Sequence, residues 1–215
     1  MLRKNRSLPV SLPELRGVSR IIASVMMKEK ANDRIILGID PGTAVMGYGL
    51  VQEVKKNVEL ISLGVVKLDH LDNHPLKLQR IFEKTLALID EYHPDCLAIE
   101  APFYGKNIQV TLKLGRAQGV AMAAALSRNL PVIEYSPRKI KQSITGNGSA
   151  GKEQVAAMLQ TLLKFRETPE FLDATDGLAV AVCHSFQRTG SSSGSGKSYS
   201  GWDAFVKENQ KRVTK

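Results

Sequence analysis

The stretch IILGIDPGTAVMGYGLV, residues 35–51, decides how the chain is to be read. An apolar run ends on Asp40, turns through Pro41-Gly42 and resumes at Gly47 as a second apolar run. Two such runs joined by a short turn are neighbouring antiparallel strands. Carboxylates are almost never buried unpaired, so an acid that closes a core strand is either a turn residue or the partner of a cation.

Outward from that hairpin, the turn Lys55-Lys56-Asn57 leads into a third run at residues 58–68, which completes an antiparallel meander. Leu76, Leu78, Ile81, Phe82, Leu86, Leu88 and Ile89 then recur at helical spacing across residues 75–92. CLAIE at 96–100 has the form of a short buried strand, followed by a helix at 108–128 and a strand at 132–135. A short helix at 138–144, the loop GNGSAG, a helix at 152–165 and a last helix at 169–186 complete the core. The expected fold is α/β: a mixed five-stranded sheet, a three-strand antiparallel meander plus parallel strands, with helices on both faces.

The chain has 215 residues, 43% of them hydrophobic, enough for one core rather than two. The expected folded domain is residues 34–188. Residues 1–33 mix charge, two prolines and the short run IIASVMM, and are expected to be a disordered extension or an over-called start, with Met26 and Met27 just before the core. Their arginines suit a transit peptide, but Glu14, Glu29 and the prolines do not. TGSSSGSGKS reads as a linker to a basic tail, which carries Tyr199, Trp202, Phe205 and Val206. Cys96 and Cys183 lie in apolar stretches without disulfide or zinc spacing, which fits buried thiols in a reducing cytoplasm. No run of 18 apolar residues exists, so no membrane partner is expected.

The formal charge is +9, and much of the excess sits in the end segments. Within the core, however, Lys106, Lys113, Arg116, Arg128, Arg138, Lys139, Lys141 and Lys152 face a single acid, Glu134. Such a stripe is either a solvated surface or a site for a polyanion, most commonly nucleic acid.

Asp40 and Glu100 each close a strand, and adjacent strands would bring both carboxylates to one rim of the sheet. LDATDGLAVAV adds Asp173 and Asp176, three residues apart on one helix face. Its apolar stripe, Leu172, Thr175, Ala179, Val182, Cys183 and Phe186, is expected to pack on the sheet and leave that pair at the margin. Four converging carboxylates raise one another's pKa unless cations neutralise them. Oxygen donors without His or Cys select Mg²⁺ or Mn²⁺ over zinc. Two such ions about 3.5–4 Å apart suit phosphodiester cleavage. Asp40 is also a competent turn former and Asp173 a first-turn residue, whereas a Glu ending a buried strand has no propensity reason to be there. His184 falls about 12 Å along the helix axis from Asp176, too far to join them.

Taken in order, GIDPGT…GYG, AIE..F..KN, LKLG.A.G, GNGSAGKEQV and DATDGLAVA resemble a RuvC-type Holliday junction resolvase of the RNase H-like superfamily. The likeness spans residues 34–188. It implies a homodimeric crossover junction endodeoxyribonuclease that makes paired symmetric nicks in a four-way DNA junction. It also implies Mg²⁺ as cofactor, with Mn²⁺ able to substitute, two ions per subunit held by Asp40, Glu100, Asp173 and Asp176. DNA contacts fall by resemblance on Phe103, Lys106, Arg138, Lys141 and Lys152, and the RuvA-RuvB branch-migration complex is the implied delivering partner. Gly115 and Gly119, four apart on one helix face, admit either the chain's own sheet or a partner helix. An exposed Phe103 offers a face to an unpaired base, and a Phe tucked under its own turn is the alternative. Two rival readings remain: a related RNase H-like nuclease on another nucleic acid, and an actin or sugar-kinase-like ATPase, whose D-x-G-T phosphate loop IDPGT also resembles. The second needs a pair of such domains, and one motif in 215 residues does not supply them.

Overall fold

The computed structural model describes residues 33–55, 57–102, 107–165 and 171–190. Five strands form one sheet: β1 (Arg34–Asp40), β2 (Val45–Val54), β3 (Asn57–Lys67), β4 (Cys96–Glu100) and β5 (Val132–Tyr135). Their order is β3-β2-β1-β4-β5. β1, β2 and β3 pair antiparallel, while β4 pairs parallel to both β1 and β5. This is the mixed sheet expected from the meander followed by strand, helix, strand. Ile36 aligns with Cys96 and Ile39 with Ile99, so Asp40 and Glu100 emerge together at the C-terminal rim.

Among the described residues five helices cover the sheet: α1 (His74–Tyr92), α2 (Ile108–Ser127), α3 (Pro137–Thr145), α4 (Lys152–Leu163) and α5 (Phe171–Gly190). Their starts are written locally. Asn73 accepts from the Leu76 amide, Asn107 from the Gln109 and Val110 amides, and Ser136 from the Lys139 amide, each satisfying first-turn donors that lack helical partners. Pro75 and Pro137 stand in first turns, where a missing N–H costs nothing. α1 ends on His93 and α3 on Gly146, both left-handed.

Alternation along β1 divides the core. Leu37 and Ile39 face α1 and α2, with Met46, Leu50, Ile81, Leu88, Leu97 and Ala121. Ile36 faces the other way with Val51, Ala98, Ile140, Val155, Leu159 and α5. Cys96 to Ile99 are at most 1% exposed, as a strand covered on both faces requires. Both cysteines are free, buried thiols.

Two details differ from the sequence reading. Leu172 is 37% exposed and is not part of the apolar face, whereas almost every residue from Ala174 through Ser185 is buried. α5 also runs on to Gly190, past the expected end at Phe186 and into the first residues of the assumed linker. The N-terminal extension and the tail beyond Gly190 lie outside the described residues.

α5 reaches the sheet through glycine. A Cβ built on Gly177 falls 2.5 Å from backbone atoms of Gly47 and Tyr48, and one on Gly38 falls 2.3 Å from the Gly177 carbonyl oxygen. A Cβ on Gly47 or Gly49 meets α5 backbone at 2.1 Å and 2.4 Å. No rotamer change relieves a Cβ clash with backbone, so helix and sheet must separate. Gly177→Ala is therefore expected to lose at least about 1–3 kcal/mol, although alanine improves helix propensity. Chemical denaturation of the variant beside wild type measures this; unchanged stability would show that the approach is not tight.

Candidate active site

Asp40 and Glu100 lie at the ends of neighbouring parallel strands, and both are half-buried. α5 crosses the same rim and carries Asp176, whose side chain is 17% exposed, and Asp173, 52% exposed. A cleft of about 520 Å³ opens here, lined by the acids Asp40, Glu100 and Asp176 together with the bases Arg138, Lys141 and Lys152. Asp173 is not in its wall, but it acts electrostatically on Asp40 and Asp176 from the rim. The structure thus places three of the four acids in the lining of one cleft and the fourth at its edge.

The basic part of the lining is built by α3, α4 and their connection. Gly146 ends α3 with φ 75° and donates its N–H to the Gln142 carbonyl at 3.0 Å. Asn147 Oδ1 then accepts from the Ser149 amide, and the Asn147 carbonyl from the Ala150 amide. The Gly151 amide donates to Gln154 Oε1, which starts α4 with Lys152 at the cleft. Gly148 lies directly under Arg138, where a Cβ would fall 2.6 Å from its Cγ.

Burial is the main cause of the strained ionisation. It raises the Asp40 carboxyl to about 7, reinforced by Asp176 and Asp173 and opposed by Lys152. It raises Glu100 to about 8, reinforced by Asp40 and Asp176 and opposed by Lys152 and Lys141. Asp176 is also raised by burial, against the pull of Lys152. The Lys152 ammonium hydrogen-bonds to Asp176 and stands 3.9 Å from Asp173. Burial works to lower its pKa, but that bond and the surrounding carboxylates outweigh it and raise it. One ammonium therefore holds together a cluster whose negative charge exceeds it.

As a test of fit for a divalent ion, the donors are carboxylate oxygens alone, hard ligands of the kind Mg²⁺ and Mn²⁺ take, and their mutual repulsion is what a bound cation relieves. Among the described residues, no three acidic, histidine or cysteine side chains stand close enough to hold an ion as placed. The cation already among them is that of Lys152.

Residues 36–184 match the family described as Crossover junction endodeoxyribonuclease RuvC. The chain belongs to the RuvC family. A RuvC crossover junction endodeoxyribonuclease of Christiangramia forsetii is 59% identical over 182 residues, 85% of this chain and 94% of its own. A Thermus thermophilus RuvC solved in complex with a Holliday junction substrate superposes with a TM-score of 0.66 at 31% identity, over 73% of this chain and 96% of that one. The yeast mitochondrial Holliday junction resolvase Ydc2, at 17% identity and TM-score 0.54, over 72% of this chain and 78% of that one, shares the fold. Members of the RuvC family depend on a divalent metal, which agrees with an all-oxygen donor set.

Not every residue singled out in the sequence belongs to this RuvC-type cleft. Arg138, Lys141 and Lys152 line it, whereas Phe103 and Lys106 lie outside the described residues. Arg128 is occupied elsewhere: its guanidinium forks onto both Asp90 oxygens at 2.7 and 2.8 Å, tying α2 to α1. Glu134, the lone acid of the stripe, accepts from Gln118 Nε2 at 2.7 Å. His184 packs edge-on to Tyr135, whose hydroxyl meets its Nδ1 at 2.8 Å, a role inside the fold. Sequence reasoning missed Lys77, whose ammonium donates to the Thr43 carbonyl at 3.1 Å and so braces the turn that follows Asp40. Nothing local marks it, because the pair is 34 residues apart.

The raised carboxyls set the pH dependence of stability without metal. Below pH about 4 both folded and unfolded carboxyls are protonated; as pH rises towards 7–8 the unfolded chain loses protons that the folded one retains, so stability falls across that window. Asp40→Asn removes one charge and relieves Glu100. In EDTA at pH 8 its Tm is expected to exceed wild type, by about 2–4 °C for each kcal/mol of repulsion relieved, with little difference at pH 4. A lower Tm at pH 8 would mean that Asp40 is already stabilised by its surroundings.

Proposed function

We propose that this protein resolves four-way DNA junctions by hydrolysing two phosphodiesters, in strands of like polarity, with Mg²⁺ as cofactor and Mn²⁺ able to substitute. The observation that carries the reading is the meeting of buried Asp40, Glu100 and Asp176 with Arg138, Lys141 and Lys152 in one cleft of a RuvC-family chain. The nuclease unit is residues 34–188, with the segments on either side appended to it. Asp40, Glu100, Asp173 and Asp176 hold two ions per subunit. Bound there, a divalent cation supplies Lewis acidity at a phosphate oxygen and makes water a better nucleophile near neutral pH.

The chain's own side chains do the rest. Lys141 and Arg138 hold the phosphate backbone beside the acids, which by themselves would repel it. Lys152, at the first position of α4, adds an ammonium where helix N–H groups also favour phosphate. In this reading Lys152 exchanges Asp176 for a DNA phosphate when the acids acquire another cation. Phe103, three residues past Glu100, is assigned to stacking on a base at the crossover, and Lys106 to the backbone.

The protein acts as a homodimer joined through α2, and the two-fold axis matches that of the substrate. Leu112 and Leu126 on α2 are 51% and 59% exposed, and between them a Cβ on Gly115 or Gly119 would meet nothing within 4 Å. The glycines therefore do not serve packing against the chain's own sheet, and their stripe supports the partner-helix alternative. Delivery of the junction by a RuvA-RuvB complex rests on family membership alone. Among the described residues no helix is long and apolar enough to cross a membrane; a cytoplasmic location is part of the same proposal.

Incubation with a labelled mobile junction, linear duplex and RNA–DNA hybrid is expected to give paired nicks in the junction alone, abolished by EDTA. Equal cutting of duplex, or preference for the hybrid, would overturn the reading. Asp40→Asn is expected to bind the junction yet cut at least ~100-fold more slowly, since even residues behind metal ligands are worth about 10–100-fold. The dimer has its own test. Leu112→Glu with Leu126→Glu is expected to give a folded monomer by sedimentation, and an unchanged dimer would place the interface elsewhere.

A further inference from the structure

A second hollow, of about 410 Å³, lies on the opposite face of the sheet between α1 and the edge strand β3. Its wall includes Lys67, His70, Arg80 and Lys84, with Tyr48 and Leu71, and no acidic residue lines it. Arg80 and Lys84 are four apart on α1 and so share one helix face. Lys84 Nζ sits 5.3 Å from the centre of the Tyr48 ring. Acids do act on the lining: Asp69, well exposed and 3.7 Å from His70 Nδ1, and Glu91, which acts electrostatically on Tyr48. Among the described residues neither Arg80 nor Lys84 has an acidic partner.

The fold has no need of this arrangement. Arg80 and Lys84, drawn together at one hollow, repel each other, and the core behind them is sealed by Val66, Leu68 and Ile81 without their help. The aromatic ring under Lys84 holds the ammonium without neutralising it. What such a hollow lacks is an anion with several oxygens spread over its mouth.

Position suggests which one. β2 begins at Val45, just after the turn that follows Asp40, and Lys67 pairs with Val45 across the β2–β3 ladder. Lys77, on the same helix as Arg80 and Lys84, braces that turn through Thr43, and the Leu68 amide bonds to the Ala44 carbonyl. The hollow therefore opens beside the rim that holds the carboxylates, around the 41–44 turn from the cleft. We propose that it is a second DNA site, in which Arg80 and Lys84, with Lys67, hold backbone phosphates of a junction arm as it leaves the cleft. The inference rests on the junction reading above and extends the contact surface to a face that the cleft does not include.

The test compares wild type with Arg80→Gln/Lys84→Gln, and with the charge-conserving Arg80→Lys/Lys84→Arg, after matching their thermal melts. Binding is measured in Ca²⁺ without cleavage, on junctions with full-length arms and with arms truncated towards the crossover, across a salt series. Losing two phosphate contacts is expected to flatten the plot of log Kd against log salt by about 1.8, at about 0.9 per contact on duplex. The loss is expected on long arms only, with KM raised, the rate at saturating junction unchanged, and the charge-conserving pair largely restored. Equal salt slopes on long arms for wild type and the glutamine variant would overturn the proposal, and would leave the hollow to an acidic protein surface instead. In that outcome, junction cutting by wild type leaves the main functional reading standing. If wild type itself neither binds nor cuts the junction, both fall together.

Discussion

The contact on which the molecule depends is the one between α5 and the β1–β2 hairpin. Helix and sheet usually keep side chains between them, but here Gly38, Gly47 and Gly49 face Gly177 and Ala181 with backbone against backbone. The closeness has a direct consequence at the rim. Asp176 precedes Gly177 by one residue, so the distance at which the helix meets the sheet is also the distance at which its carboxylate meets Asp40. Spread by the thickness of a methyl group, the same sequence would retain its elements and lose the cluster. The glycines thus transmit a packing distance into an electrostatic one.

That electrostatic arrangement opposes folding rather than aiding it. Desolvation raises Asp40, Glu100 and Asp176 together, and among the described residues the counter-charge that bonds into the group is Lys152. A protein selected for stability alone has no reason to keep these acids at the end of its two most buried strands. The two hydrophobic layers, one on each face of β1 and β4, supply the stability against which that repulsion is held. A bound cation and a polyanion each relieve a different part of the cleft: the one its acids, the other its bases.

Much of this was legible in the chain itself. Alternation and turn residues gave the meander, and helical spacing gave helices at 75–92 and 108–128, whose side-chain caps Asn73 and Asn107 only the structure brought out. Asp40 and Glu100 were visible as acids where a strand should have ended on something apolar. Arg128 was not interpretable in the same way, because its partner Asp90 lies 38 residues away, and a basic stripe in sequence does not say which members are already neutralised. Leu172 failed for a related reason: it has the right helical phase, yet it lies in the first turn of α5 and stays 37% exposed.

The sequence by itself determined what depends on neighbours along the chain: which segments are strands or helices, where helices start, and which residues carry charge at their ends. It also determined family membership, since ordered motifs survive translation into any geometry. Only the tertiary structure decided what depends on distance between remote segments. That includes which acids meet, that Lys152 stands among them, that Arg128 is used up by Asp90, and that Gly115 and Gly119 face outward. It also includes the gathering of Lys67 from β3 with Arg80 and Lys84 from α1 around one hollow. Local preference acts over a few residues, whereas charge and packing act through space, and the path between the two is set by how closely α5 can approach β1 and β2.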